Sequence, residues 1–246
     1  MPQDKLLRVA GLPAVQALFA RSPARVERLF FTGELRSQVS DYCGIMARAR
    51  KPYRQVGAAE LAKVAGTVLH GGVVALARPR PVRVLEASEA PHWAEDGKLL
   101  LMLDGIGNPH NLGAIARTAA FFGLPRLVLS DHPGQALPSD ASYRVAEGGL
   151  DHLEVYRSRN FGRDLDRLRA SYLIVGAAAE GGRSLADLAR SKKPLALILG
   201  NEEHGFPPST ARACEALVTI AGAGSVQSLN VAASAAVLIH ALTNRS

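Results

Sequence analysis

Residues 195–205 read LALILGNEEHG, an apolar run that breaks off at Gly200 into Asn201, Glu202, Glu203 and His204. A short apolar run bounded by glycine reads as a strand buried on both faces. In an open α/β sheet, polar residues just past a strand's carboxyl end stand in the crevice where ligands bind. A second short strand is predicted at 217–220, followed by a loop at 221–227 that contains Gly222 and Gly224. Ser228-Leu229-Asn230 then opens VAASAAVLIHAL, a run small or apolar nearly all round, as in a helix buried against something large. Two strand ends and one helix start therefore converge on a single site.

The same grammar extends back to Lys98. Strands are predicted at 99–104, 126–130, 153–156 and 172–177, with helices at 112–122, 139–147, 161–169 and 184–190, the last with Ser184 as N-cap. Strands alternating with helices imply an α/β fold built on a mostly parallel sheet covered on both faces. Upstream, 6–21 has apolar residues at helical spacing, 26–31 reads as a strand and 39–50 as a helix. A strand at 53–56, a short helix at 58–64 and a strand at 73–77 complete a small α/β unit. Residues 78–97, with three prolines and no clear period, read as a partly extended linker. The expected domains are thus 1–78, a linker at 79–97, and 98–246.

Charge separates these parts. Residues 1–80 hold 13 Lys+Arg against 5 Asp+Glu, a balance of +8, while the remainder holds 16 against 17, or −1, consistent with the overall +7. A basic module joined to a near-neutral one suggests a nucleic-acid-facing part. No apolar run reaches the ~18 residues of a membrane span, and the N-terminus lacks the apolar stretch of a signal peptide. Cys43 and Cys214 fit neither a disulfide framework nor a CxxC motif, so a cytoplasmic protein with reduced thiols is expected.

Three segments carry the chemistry. Asp104-Gly105-Ile106-Gly107-Asn108-Pro109-His110-Asn111 sits at a strand-to-helix turn, where backbone donors suit anionic or polar groups. Its spacing lacks the later glycine of a dinucleotide loop. Arg117, a turn and a half beyond Asn111, offers a planar fork of donors suited to phosphate. In the second segment, Glu202 and His204 read either as an acid/base pair or, for Glu202, as a helix cap. In the third, Ser228 and Asn230 are fair caps in their own right. No HExxH, clustered cysteines, GxxxxGK[ST] or GxSxG occurs, which argues against a metal, a P-loop or a nucleophile elbow.

Taken together, NPHNLGAIART (108–118), LILGNEEHGF (197–206) and IAGAGSVQSLNV (220–231) resemble the three motifs of the SpoU/TrmH family of RNA ribose 2′-O-methyltransferases, within the SPOUT superfamily. The resemblance covers 98–246, and residues 5–78, with HGGVVA at 70–75, look like the small substrate-binding domain that often precedes it. It implies a parallel sheet whose C-terminal segment is threaded into a trefoil knot, a rare departure from unknotted connections. It also implies S-adenosylmethionine held mainly by backbone groups at Leu199, Gly200, Ile220, Ser228 and Leu229. Arg117 would be the central catalytic residue, with Asn111, Glu202 and Asn230 shaping the site. The implied substrate is structured RNA, tRNA or rRNA, and the implied assembly is a homodimer without metal. Ala221, Gly222 and Ala232 depart from the family pattern by small changes in volume. The rival expectations are an RNA-binding protein that kept the fold but lost turnover, and a Rossmann-type methyltransferase acting on small molecules.

Overall fold

The computed structural model describes residues 6–243, apart from 186, 187, 189, 190, 202, 203 and 227. The chain opens with β1 (Leu7–Ala10), α1 (Leu12–Arg21), β2 (Val26–Phe31), α2 (Ser40–Arg48), β3 (Tyr53–Gln55), α3 (Ala58–Ala65) and β4 (Val73–Ala77). These strands form a four-stranded sheet in the order β1-β4-β2-β3, with β4 antiparallel to β1 and β2.

The first turn of the helix expected over 6–21 is instead β1. Gly11 adopts φ 95 and ψ 142, a conformation open chiefly to glycine, and separates strand from helix. Before it, Leu7 and Val9 are buried, while Leu7 to Ala10 pair with Ala77 to Val74. A four-residue stretch with apolar side chains at 7, 9 and 10 is too short to fix its period, and a partner strand more than sixty residues away decides it.

Part of the 79–97 stretch is likewise folded. It contributes β5 (Arg83–Val84), which pairs with a strand of the second sheet, and the short helix α4 (Ala90–Ala94). Trp93 is buried there, its ring 4.8 Å from that of Tyr156 and under the Arg126 guanidinium at 4.9 Å.

The larger unit comprises β6 (Leu100–Asp104), α5 (Pro109–Phe121), β7 (Arg126–Leu129), α6 (Asp140–Ala146), α7 (Gly149–His152), β8 (Glu154–Arg157), α8 (Phe161–Leu168) and β9 (Leu173–Ala177). It continues with β10 (Leu195–Gly200), α9 (Pro208–Ala213), β11 (Ala216–Val218) and α10 (Val231–Thr243). The helix expected over 184–190 falls largely outside the described residues. The seven strands run in the order β11-β9-β10-β6-β7-β8-β5, and every pairing is parallel.

Successive side chains of a strand point to opposite faces, and here they feed two cores. Leu101, Leu103, Leu127, Leu129, Leu197 and Leu199 pack with residues of α5, α6 and α10. Leu100, Met102, Val128, Ala196 and Ile198 pack on the other face with Trp93, Phe161, Leu165 and Ala213. With both faces dry, the strands have no polar side to show, which is why their sequences are continuous apolar runs.

The first core runs on into the four-stranded sheet, through α1 against α7 and β1 against α6. At this junction the Arg8 N–H donates to Asp140 Oδ1 at 2.9 Å, and Arg25 pairs with the fully buried carboxylate of Asp151 at 2.8 Å. Among the described residues, no helix is long and apolar enough to cross a membrane.

Candidate active site

β6 leads to β7 on one side of the sheet, whereas its other neighbour, β10, arrives only after two further strands have formed. The direction of winding reverses between them, and the crevice lies beyond their carboxyl ends. Register places Gly200 opposite Asp104, so the two loops leave the sheet side by side.

Local chemistry fixes each loop. After β6, Gly105 turns with φ 80, and the buried side chain of Gln135 brackets Ile106, accepting from its N–H at 3.1 Å and donating to its carbonyl at 3.2 Å. Asn108 then caps α5, accepting from the His110 N–H at 2.9 Å, and Pro109 takes the first helical position. After β10, Asn201 and Gly205 exchange two backbone hydrogen bonds of 2.8 and 2.9 Å, a tight loop that leaves no room for a side chain at Gly200. Asn201 also donates from Nδ2 to the Gly105 carbonyl at 3.3 Å, tying the two loops together. A cavity of about 280 Å³ opens between them, lined by Asp104, Gly105, His132, Asn201, His204 and Phe206 among others. The buried Asp104 carboxylate accepts from Thr210 Oγ1 at 2.7 Å at its base. Beside it Cys214 donates to the Thr210 carbonyl, and burial pushes its thiol up to about 11, so it stays neutral and is no nucleophile.

The candidate residues divide into groups. Leu199 is buried in the sheet and Gly200 ends β10, both at the crevice. Ile220 lies just past β11 and packs on the core, while Ser228 and Leu229 lie in the exposed segment before α10. Among the described residues, the backbone from 220 to 229 makes no hydrogen bond within the chain. A Cβ added at Gly222 or Gly224 would meet only open space. That is a strip of unused donors and acceptors with room beside it, which fits a ligand held by backbone groups.

Asn230 joins this strip to α5. Its Nδ2 donates to Asn111 Oδ1 at 3.3 Å, while its own Oδ1 accepts from the Ala232 N–H at 2.9 Å and caps α10. Asn111 and Asn230 are therefore brought together. Arg117 is not brought to them: six residues along α5 amount to about 120° around the helix axis, and its guanidinium meets Glu147 instead, at 2.9 Å. Glu202 lies outside the described residues. Sequence reasoning missed Glu147, although its place before Gly148-Gly149 marks a helix end. Among the described residues, no group of three or more His, Cys, Asp or Glu side chains is placed to hold a metal ion.

A basic surface lies on the smaller sheet. Arg28, Phe30, Tyr53 and Arg54 line a second cavity of about 460 Å³ along β2 and β3.

Comparison with known proteins finds relatives for both parts of the chain. Residues 98–240 match the SpoU rRNA Methylase family, and residues 8–82 match a domain described as RNA 2′-O ribose methyltransferase substrate binding. An uncharacterized tRNA/rRNA methyltransferase of Escherichia coli, YfiF, is 34% identical over 94% of this chain, which spans only 66% of that relative's length. The 23S rRNA (guanosine-2′-O-)-methyltransferase RlmB of Pseudomonas aeruginosa is 34% identical, with 94% of each chain covered. Among solved structures, an AdoMet-bound rRNA methyltransferase from Sinorhizobium meliloti superposes with a TM-score of 0.79 over 97% of this chain and 87% of its own, at 22% identity.

Proposed function

The chain belongs to the SpoU methylase family, and from that premise we propose that it transfers a methyl group from S-adenosylmethionine to a ribose 2′-hydroxyl of structured RNA. The observation that carries the proposal is the strip 220–229, whose described residues make no backbone hydrogen bond within the chain and which is tethered through Asn230 to the helix that bears Asn111 and Arg117. Leu199, Gly200, Ile220, Ser228 and Leu229 are the residues that would hold the cofactor. When bound, it supplies an electrophilic methyl group on a sulfonium, so the chain itself needs no metal or nucleophile.

The residues then have to place the hydroxyl and tolerate its developing charge. Arg117 is assigned the phosphate next to the target ribose, and its positive charge would favour the alkoxide as the hydroxyl proton passes to solvent water. A guanidinium is a delocalised cation that already carries all its protons, which makes it a poor proton acceptor, so the clamp is the easier role than the base. Asn111 and Asn230 shape the wall between cofactor strip and ribose, and Glu202 is assigned to the same wall by its motif.

The offset of Arg117 from Asn111 around α5 suits a site completed by a second copy of the chain. Phe121 is 83% exposed and Val237 41% exposed, with the Phe122 and His240 rings 5.6 Å apart nearby. That apolar patch on α5 and α10 supports a homodimer face. The proposed assembly has residues 1–78 as the RNA-holding unit and 98–246 as the methyltransferase unit, its C-terminal segment threaded into the family's trefoil knot, with 79–97 connecting them and adding β5 and α4 to the larger unit. The basic groove of Arg28, Tyr53 and Arg54 would hold RNA through phosphate charge and stacking. The protein would work in the cytoplasm on tRNA or rRNA, and the name of the Pseudomonas relative makes 23S rRNA the first substrate to try.

The test is incubation with radiolabelled S-adenosylmethionine and total RNA lacking its own modifications, followed by digestion to nucleosides. Label in a 2′-O-methylnucleoside supports the proposal. Label on a base overturns the ribose assignment, and cofactor binding without any transfer favours the alternative, an RNA-binding protein that kept the fold.

A further inference from the structure

Glu147 ends α6 with φ 44, a left-handed conformation that a glycine would adopt at lower cost, and it is followed by Gly148 and Gly149. From that backbone its carboxylate reaches the Arg117 guanidinium at 2.9 Å. We propose that Glu147 stands in for an RNA phosphate, occupying the fork of Arg117 in the free protein until a phosphodiester displaces it. The inference rests on the reading of Arg117 as a phosphate clamp.

The chemistry of the two acceptors is alike. Carboxylate and phosphate each offer paired oxygens to the parallel N–H groups of a guanidinium. The pair is also easy to displace: its side chains are 58% and 43% exposed, where solvent screening leaves an ion pair weak. A phosphodiester has the advantage that its condensed counterions are released on binding. The backbone on both sides is held. A Cβ at Gly149 would lie 2.7 Å from the Arg117 Cα, and one at Gly148 would lie 2.5 Å from the Ala17 Cβ of α1. Between these two close approaches, release of Arg117 involves only side-chain rotation. A left-handed residue that carries a carboxylate, in place of the easier glycine, is the outlier this role accounts for.

Binding of a fluorescently labelled, unmodified RNA hairpin would be followed by anisotropy from about 50 to about 300 mM KCl. The proteins compared are the wild type, Glu147→Gln, Arg117→Ala and the double variant. Glu147→Gln is expected to bind roughly two- to fivefold more tightly at low salt, with the gain fading as salt rises and shrinking in the Arg117→Ala background. Glu147→Gly, which suits the left-handed backbone, should show the same gain and guards against misfolding. Equal or weaker binding by Glu147→Gln overturns the inference. A gain of the same size in both backgrounds also overturns it, because only net charge would then be at work. Methyl transfer by the wild type, measured on the same preparation, keeps the two readings apart. A wild type that binds no RNA sinks both, whereas one that binds and methylates while Glu147→Gln gains nothing sinks this one alone.

Discussion

Replacing Arg117 by alanine separates clamp from scaffold, because the side chain is exposed and its ion pair with Glu147 lies at the surface. Stability should move by less than about 0.5 kcal/mol. Turnover should fall about a hundredfold, as when one preorganised donor to a developing oxyanion is lost. Single-turnover methyl transfer beside a thermal melt checks both. A large drop in melting temperature would instead make Arg117 part of the framework. The release of Arg117 from Glu147 belongs to this scale too, since it needs no element to move. That Asn111 and Asn230, whose side chains the structure brings together, would share one site was legible in the sequence from their motifs. Glu147 was not, because the contact that gives it meaning joins residues thirty positions apart on two different helices.

The helices carrying these side chains meet through glycines. Gly113 on α5 faces the Ser142 carbonyl at 2.5 Å from an added Cβ, and Gly149 of α7 faces the Ala116 carbonyl at 2.9 Å as well as the Arg117 backbone. Backbone opposite backbone has little freedom to give way. Gly149→Ala should therefore cost about 2 kcal/mol and lower Tm by roughly 6 °C, with methyl transfer falling alongside because α5 shifts under Arg117. Calorimetry on the variant would check it, and an unchanged Tm would mean that α7 slides freely on α5. The same scale shows where sequence reading stops. The buried strands of the large sheet were legible because nothing but an apolar run survives with both faces covered. β1 was read as helix, and β5 was passed over among prolines, because each is short and owes its conformation to a distant strand, β4 for one and β8 for the other.

At the scale of the molecule, the two sheets are bolted together at Asp151. Its side chain is fully enclosed, and burial raises the carboxyl above its usual range, only partly offset by Arg25. Arg25→Ala would leave that charge buried without its partner, at a cost of about 3 kcal/mol near neutrality. The pH dependence has a definite sign. A carboxyl whose folded pKa is raised lends its full stability below the unfolded value and loses it as pH rises through the folded one. The deficit of Arg25→Ala should therefore shrink as pH falls from neutrality toward the ordinary carboxylate range, when Asp151 takes up a proton. Denaturant melts of wild type and variant across that range measure it, and a deficit that grew in acid would contradict the account. The strand order has a consequence of another kind. β10 lies between β6 and β9 yet is made after both. A nascent chain leaving the ribosome thus presents two apolar strand edges with the middle of the sheet still to come. During that interval the crevice has only one of its walls, and the open edges invite pairing with other chains. Slow or interrupted synthesis across 178–194 is the moment at which this protein is most exposed to aggregation.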